Sequence, residues 1–251
     1  MHRRTAPRLA RILACAAVPV MLVATGCSSD DEKKETTPTK APTANATPTL
    51  KPAAFAKLPE ACKTVPAKTV EKLVAKADPK EGKALPASDT NDSASCFYSG
   101  LDDEDVKDLQ YRSLTVSLKR FASDPTLGSG EKRAQAFLAQ QATKATTSDG
   151  AKNAKTEKAG GIGDEASTVT SDSKKDDNDF KNVTVIARTA NVVVTVKYSG
   201  AGYEGAKSPD VGDMTKDAQG ATKEAVTSVA DANKNANKNE AKDEAKDEKK
   251  K

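Results

Sequence analysis

Histidine is almost absent from this sequence, because its only histidine is His2. From residue 3 onward the chain has no imidazole, which excludes a Ser-His-Asp or Cys-His nucleophile, histidine-bound zinc and imidazole acid–base chemistry. Tryptophan is absent, and five phenylalanines and four tyrosines make up the aromatic residues. As a set they are typical of a core and its edge, and not of a stacking platform. They include Tyr111, Phe121, Phe137, Tyr198 and Tyr203.

An excess of charge of one sign is also lacking over most of the chain. The formal net charge is +4, and the four arginines of residues 1–26 account for all of it. The chain after residue 26 is formally neutral, which gives no support for binding to nucleic acid or to an anionic membrane surface. An acidic run is interleaved with Lys174 and Lys175 and lacks EF-hand spacing, so it is interpreted as a solvated loop. No pattern indicates a cofactor or a metal. The acidic residues of the run are Asp172, Asp176, Asp177 and Asp179.

The N-terminus has the layout of a secretory signal peptide, which we predict to cover residues 1–26. A basic stretch precedes an uncharged apolar run from Ile12 to Ala24. A membrane-spanning helix needs about 20 apolar residues, whereas this run is shorter and contains Pro19. We therefore expect the segment to direct export and then to be removed.

Residues 23–27, Val-Ala-Thr-Gly-Cys, resemble the lipobox of bacterial lipoproteins, in which the cysteine is lipidated and the peptide is cut just before it. The resemblance implies cleavage between Gly26 and Cys27 and a diacylglyceryl group on Cys27. A rival match ending at Cys15 has no apolar run before it. The alternative of an ordinary buried or disulfide-bonded Cys27 is disfavoured by the polar sequence that follows. We expect the protein to be anchored on the extracytoplasmic face of the cell membrane.

Two polar segments are predicted to flank one folded domain. Residues 27–57 are rich in threonine and proline, which indicates a disordered tether that could also carry O-linked sugars. Residues 231–251 contain no apolar side chain larger than alanine, which predicts a disordered or transiently helical tail. Residues 58–230 are numerous enough for a single hydrophobic core.

Cys62 and Cys96 are the two cysteines of the predicted domain. In an oxidising exterior, an even pair of cysteines within one domain indicates a disulfide. The alternative is two free buried thiols.

The order of predicted elements indicates an α+β fold with an antiparallel sheet and about three helices. Apolar residues at helical spacing predict the helices, and period-two alternation predicts the strands. The stretch 146–161 is polar and glycine-rich, and it is interpreted as a loop. Helices are predicted behind Pro66, from about Gly130 and over about 215–230, and strands over 95–98, 114–118, 182–188 and 192–198.

The last two strands are predicted to form a hairpin through the turn 189–191. Asn191 is the turn residue that we expect in the left-handed conformation, because asparagine tolerates positive φ. Val192, Val194, Val196 and Tyr198 are expected to share one face of the sheet.

The segment 161–166, Gly-Ile-Gly-Asp-Glu-Ala, is the most motif-like element of the domain. Its two glycines allow a tight turn, and Asp164 could accept hydrogen bonds from the following backbone. The alternative is that Asp164 and Glu165 bind a cation or a substrate.

Several of these features together resemble the Streptomyces-type secreted lipoproteins of actinomycetes that carry a domain of unknown function. They are the lipobox, the tether, the cysteine near the first helix, the Cys96-Phe97-Tyr98 strand, the 161–166 loop and the 188–194 hairpin. In that family a glycine often occupies the hairpin turn, where this chain has Ala190. The family has no general assigned activity, so the resemblance implies no reaction.

We therefore expect a non-enzymatic, cell-surface domain that binds a ligand or a protein, with a cell-wall component or an envelope protein as partner. We expect a monomer that does not bind nucleic acid. Two alternatives stay open. One is a histidine-free cell-envelope hydrolase that uses carboxylates or a Ser-Lys pair, and the other is a carrier of lipid or glycolipid in an apolar cavity beneath the sheet.

Overall fold

A computed structural model describes residues 50–248, with side chains up to Lys234. The predicted signal peptide, Gly26, Cys27 and the tether up to residue 49 lie outside the described residues. A short 3-10 turn, Ala61–Lys63, precedes the first helix. The helices are Ala67–Leu73 (α1), Gly130–Thr146 (α2) and Val211–Glu248 (α3). The strands are Lys83–Leu85 (β1), Ser93–Asp102 (β2), Leu109–Arg120 (β3), Lys152–Lys158 (β4), Glu165–Lys175 (β5), Asn178–Thr189 (β6) and Val192–Tyr203 (β7).

The strands form one seven-stranded sheet in the order β1-β2-β3-β7-β6-β5-β4, and every neighbouring pair is antiparallel. Successive side chains of a strand point to opposite sides, so the sheet has two faces. We call the face that packs against α1 and α3 the closed face, and the other the open face. This architecture confirms the predicted α+β fold with a single antiparallel sheet.

The closed face carries the main hydrophobic core. Val192, Val194, Val196 and Tyr198 all belong to this core, as predicted, together with alternate residues of β2, β3 and β6. Helix α3 approaches closely because its buried row consists of small residues. That row is Ala218, Ala221, Ala225 and Val229.

Helix α2 covers only part of the open face. It begins at Gly130, as predicted, and the Ser129 side chain caps it by accepting a hydrogen bond from the Lys132 amide at 3.3 Å. Ala134 and Leu138 pack in a second, smaller core with residues of β5, β6 and β7. The open face over β2 and β3 is left largely without a helix, since α2 packs mainly against β4, β5, β6 and β7.

The predicted disulfide is confirmed. Cys62 and Cys96 are bonded, and their Cα atoms lie 5.0 Å apart. The bond joins the 3-10 turn to the middle of β2, with Cys96 fully buried in the main core.

The interpretation of 146–161 as a loop is wrong in part, because β4 lies within it. All seven residues of β4 are exposed, so this edge strand shows no hydrophobic alternation. Strand β5 was also missed, and it contains Asp172 of the acidic run. Asp176 and Asp177 form the turn between β5 and β6, as expected for a solvated loop.

The β6–β7 turn differs from the prediction. Ala190, and not Asn191, has the positive φ, at +49°. The Asn191 side chain is instead fully buried, and it bonds to a segment far away in the sequence.

We call residues 51–57 the strap, because this end of the predicted tether is bound across the domain. Asn191 accepts a hydrogen bond from the Phe55 amide at 2.8 Å and donates to the Phe55 carbonyl at 2.9 Å. Asn233 holds Ala56 and Lys57 in the same manner, at 3.0 to 3.3 Å. The packed domain therefore begins before residue 58.

Helix α3 extends past both predicted ends. Asp210 accepts a hydrogen bond from the Asp213 amide at 2.9 Å, which starts the helix before residue 215. The sequence beyond Ala230 contains no proline or glycine and many good helix formers, so the boundary at residue 230 is too early. Within residues 50–248, no helix has an apolar stretch long enough to cross a bilayer.

Candidate functional site

The 161–166 loop is held by contacts within the domain. Gly161 and Gly163 both have positive φ, and a Cβ atom at Gly163 would lie 2.3 Å from the Arg188 carbonyl oxygen. Asp164 accepts hydrogen bonds from the Ala190 amide at 2.7 Å and from Arg188 Nη1 at 3.0 Å. Glu165 Oε2 lies 3.8 Å from Arg188 Nε. Both carboxylates thus face the same arginine, which favours the turn interpretation over a ligand site.

The acidic run does not converge on one point. Asp172 accepts hydrogen bonds from Asn153 and Lys181, both at 2.8 Å, and these bonds hold the pKa of its carboxyl below the ordinary value. Asp176 and Asp177 lie in the turn and Asp179 in β6. Among the described residues, no three acidic, cysteine or histidine side chains are grouped as metal ligands.

The uncovered part of the open face is lined mainly by hydroxyl and amide groups, with Phe97 of β2 among them, a feature that the sequence analysis missed. The strand register places Ser113 of β3, Ser199 of β7 and Asn182 of β6 in one row across the sheet. The next row contains Thr115, Lys197 and Thr184. We call this surface the hydroxyl face. Its members are Ser95, Ser99, Ser113, Thr115, Ser117, Ser171, Ser173, Asn182, Thr184 and Ser199.

Some of these polar groups are already bonded to each other. Ser95 Oγ donates to Ser117 Oγ at 2.9 Å, and Ser199 Oγ donates to Asn182 Oδ1 at 2.8 Å. Because a hydroxyl oxygen has two lone pairs and one proton, each retains capacity for a further partner. All members of the face are half-buried, so their side chains are fixed by strands yet still reach solvent.

A polar groove of about 200 Å³ lies where the C-terminal half of α2 meets this face. The floor is Ser171, Ser173, Asn182, Thr184, Lys197 and Ser199. The wall is Gln141, Lys144, Ala145, Ser148, Asp149 and Ala151.

Three aromatic rings border the hydroxyl face at the end of the sheet where β7 finishes. Tyr111 and Tyr203 are stacked with centroids 5.7 Å apart, and Phe180 meets both edge-on at 5.9 and 6.3 Å. Partial burial, with smaller effects of Tyr111 and Asp176, raises the pKa of Tyr203. These rings are half-exposed. The expectation that Tyr111 and Tyr203 lie at a core edge therefore misses their common surface with Phe180.

A larger groove, of about 820 Å³, runs between α3 and residues 59–66. Its charged lining residues are of both signs, two lysines and two acids. They are Lys63, Lys223, Glu224 and Asp231. This mixed lining selects no ligand chemistry, unlike the repeated hydroxyl groups of the open face.

The fold and this surface define an α+β domain with one sheet face packed by helices and the other partly open and polar. No protein-family model matches the chain, and no curated protein matches its sequence. Among solved structures, the chain is similar to LpqN, described as involved in cell envelope biogenesis of Mycobacterium tuberculosis. The match has 14% identity and a TM-score of 0.30 and covers 57% of this chain and 75% of LpqN. A likeness of this extent assigns neither fold nor function.

Proposed function

We propose that this protein is an exported, membrane-anchored lipoprotein whose domain binds a polyhydroxylated ligand of the cell envelope on its hydroxyl face, without catalysis. One observation carries the binding proposal: side chains of the same polar chemistry from five strands lie on one sheet face, partly beside α2 and partly beyond it. Hydroxyl and amide groups both donate and accept hydrogen bonds, as the hydroxyls of a sugar do.

The aromatic rings beside this face support a saccharide as the ligand class. Sugar rings present C–H groups that pack on the faces and edges of aromatic side chains, while their hydroxyls need polar partners. Phe180 and the groove residue Ser173 both lie on the open face, where β5 pairs with β6. A ligand in the groove could therefore contact both surfaces.

Non-enzymatic binding is favoured over hydrolysis by the carboxylates of the domain. A hydrolase without histidine needs two convergent carboxylates, usually one with a raised pKa, whereas the groove is lined by the single carboxylate of Asp149. Structural hydrogen bonds lower the pKa of both Asp124 and Asp172. A Ser-Lys mechanism needs a buried lysine, and Lys197 is exposed.

A lipid carrier is disfavoured by the packing beneath the sheet. The space that an acyl chain would need on the closed face is filled by side chains of β3, β7, α1 and α3. Leu73 and Val74 at the end of α1 are at most 2% exposed, and the Tyr198 hydroxyl donates to the Leu73 carbonyl at 2.7 Å.

Anchoring is supported by the predicted signal peptide and by the resemblance of residues 23–27 to a lipobox. If the lipid is on Cys27 and the strap begins at residue 51, the free tether is about 23 residues long. Such a chain spans ~25–30 Å as a flexible coil and ~70 Å as extended polyproline II. The domain would then lie within reach of the cell-wall layer.

Replacing the lipidated cysteine tests the anchor. We expect Cys27→Ala to leave the protein uncleaved or to release it without lipid, so that intact mass analysis finds no acyl groups. Wild-type protein should partition into detergent at the mature size. Mature-size Cys27→Ala protein that still partitions into detergent would contradict the anchor.

Filling the groove tests the binding proposal. With saccharides released from the producing cell's envelope as ligand, Thr184→Tyr should abolish binding to the intact protein. Thr126→Tyr, the same change in the exposed β3–α2 loop, is the control and should leave binding unchanged. Unaltered binding by a folded Thr184→Tyr variant would place the ligand elsewhere.

A further inference from the structure

Charge on the open face is of one sign along four strands. The register assigns three charged residues to open-face positions of β2, β3, β6 and β7, and all three are basic. Two of them have partners: Arg188 contacts Asp164, and Lys119 donates to Ser93 Oγ at 2.9 Å. The third is Lys197, on the central strand β7.

Lys197 is surrounded by neutral polar groups. Its register partners are Thr115 on β3 and Thr184 on β6, and its neighbours along β7 on the same face are Thr195 and Ser199. Within the part of the chain that the structure describes, the ion pairs of the domain do not include Lys197 or Lys144. A second lysine, Lys144 of α2, lines the same groove, and Asp149 is the single acid of the lining.

We infer that the ligand of the hydroxyl face carries an anionic group, a carboxylate or a phosphate, that Lys197 and Lys144 bind. The inference rests on the proposed function and specifies its ligand. Charge complementarity is the argument: two lysines, each with three donors, line a groove that has one carboxylate, and the other polar groups of the lining are neutral donors and acceptors. A hydrogen bond between an ammonium and an anion is also roughly twice as strong as a neutral one.

A matched set of small sugars tests the inference. Glucose, glucuronate and glucose 6-phosphate are titrated into the intact isotope-labelled protein, and binding is followed by amide NMR shifts of the open-face strands. We expect at least one anionic sugar to bind about tenfold tighter than glucose, and the tighter of the two identifies carboxylate or phosphate as the preferred group. Added salt should reduce this difference.

Lysine-to-glutamine substitutions inside and outside the groove serve as matched variants for this test. Lys197→Gln and Lys144→Gln should each bring the anionic sugar toward the affinity of glucose, whereas Lys155→Gln on the exposed strand β4 should not. If glucose shifts the same amides with the same midpoint as both anions, the anionic group is refuted and the hydroxyl-face proposal stands. If none of the three sugars shifts an open-face amide, the inference and the proposed function are both overturned.

Discussion

Strand β3 displays both faces of the sheet within six residues. Leu114, Val116 and Leu118 point to the closed face and are at most 2% exposed, while Ser113 and Ser117 alternate with them and reach the open face. The closed face supplies the burial that stabilises the fold, at ~1.5–3 kcal/mol for each large apolar side chain. The open face beyond α2 buries little, so its residues are free to serve binding. The comparison predicts that substitutions on the two faces have separable effects.

A pair of neighbouring substitutions sharpens this comparison most strongly. Leu114→Ala should lower the free energy of unfolding by about 3–5 kcal/mol, because it leaves a cavity in the closed-face core. Ser113→Ala, one residue away on the open face, should change it by less than about 0.5 kcal/mol. Chemical denaturation of both variants measures the difference. Equal losses would show that the open face also carries the stability of the domain.

Reduction of the disulfide should have a similarly large effect on the closed face. The bond joins cysteines 34 residues apart, which corresponds to about 3–4 kcal/mol on the chain-entropy model. For a domain of this size, the melting temperature should fall by roughly 10 °C. Thermal unfolding with and without a phosphine reductant, with Cys62→Ala as control, makes the comparison. An unchanged melting curve after complete reduction would argue against a stabilising bond.

Alkaline pH should weaken the closed face through its buried tyrosines. Burial raises the pKa of Tyr98 and of Tyr198 above the ordinary value near 10, with Arg112 opposing the shift at Tyr198. The neutral phenol therefore contributes stability that is fully present below pH ~10 and is lost as the pH rises above it, by at most about 1.4 kcal/mol per pH unit for each tyrosine. Melting curves from pH 8 to 11 should fall less steeply for Tyr198→Phe. If the melting temperatures of wild type and Tyr198→Phe fell in parallel with pH, a contribution of the Tyr198 phenol would be excluded.

The smallest predicted effect lies at the turn between β6 and β7. Ala190 has φ of +49°, which glycine adopts without the steric cost of a Cβ atom. Ala190→Gly should therefore stabilise the protein by about 0.5–1 kcal/mol, without changing ligand binding at the open face. Urea denaturation measures the gain. Destabilisation of this variant would mean that the left-handed conformation is not retained in solution.

The packing of the closed face could be predicted from the sequence because apolar and polar residues alternate along its strands. Valines at every second position of β7 and the helical spacing of apolar residues after Gly130 are local signals, and both predicted the structure correctly. Strand β4 gave no such signal, because an edge strand with all residues exposed has no apolar pattern.

Two other features depend on contacts between residues far apart in the sequence, which local sequence patterns do not predict. Asn191 bonds to Phe55, which is 136 residues away, so its turn-forming tendency was a misleading guide to its role. The hydroxyl face requires β3 to lie beside β7, although 71 residues separate the end of β3 from the start of β7. The serines and threonines of each strand were visible separately, but their common surface follows from the strand order.

Photo-crosslinking in living cells tests the central claim most directly. A benzophenone amino acid at position 115 places the reactive group on the open face, and the same residue at position 68 places it on the exposed side of α1. The account predicts saccharide-containing adducts from position 115 and none from position 68. Adducts of that kind from position 68 alone would contradict it.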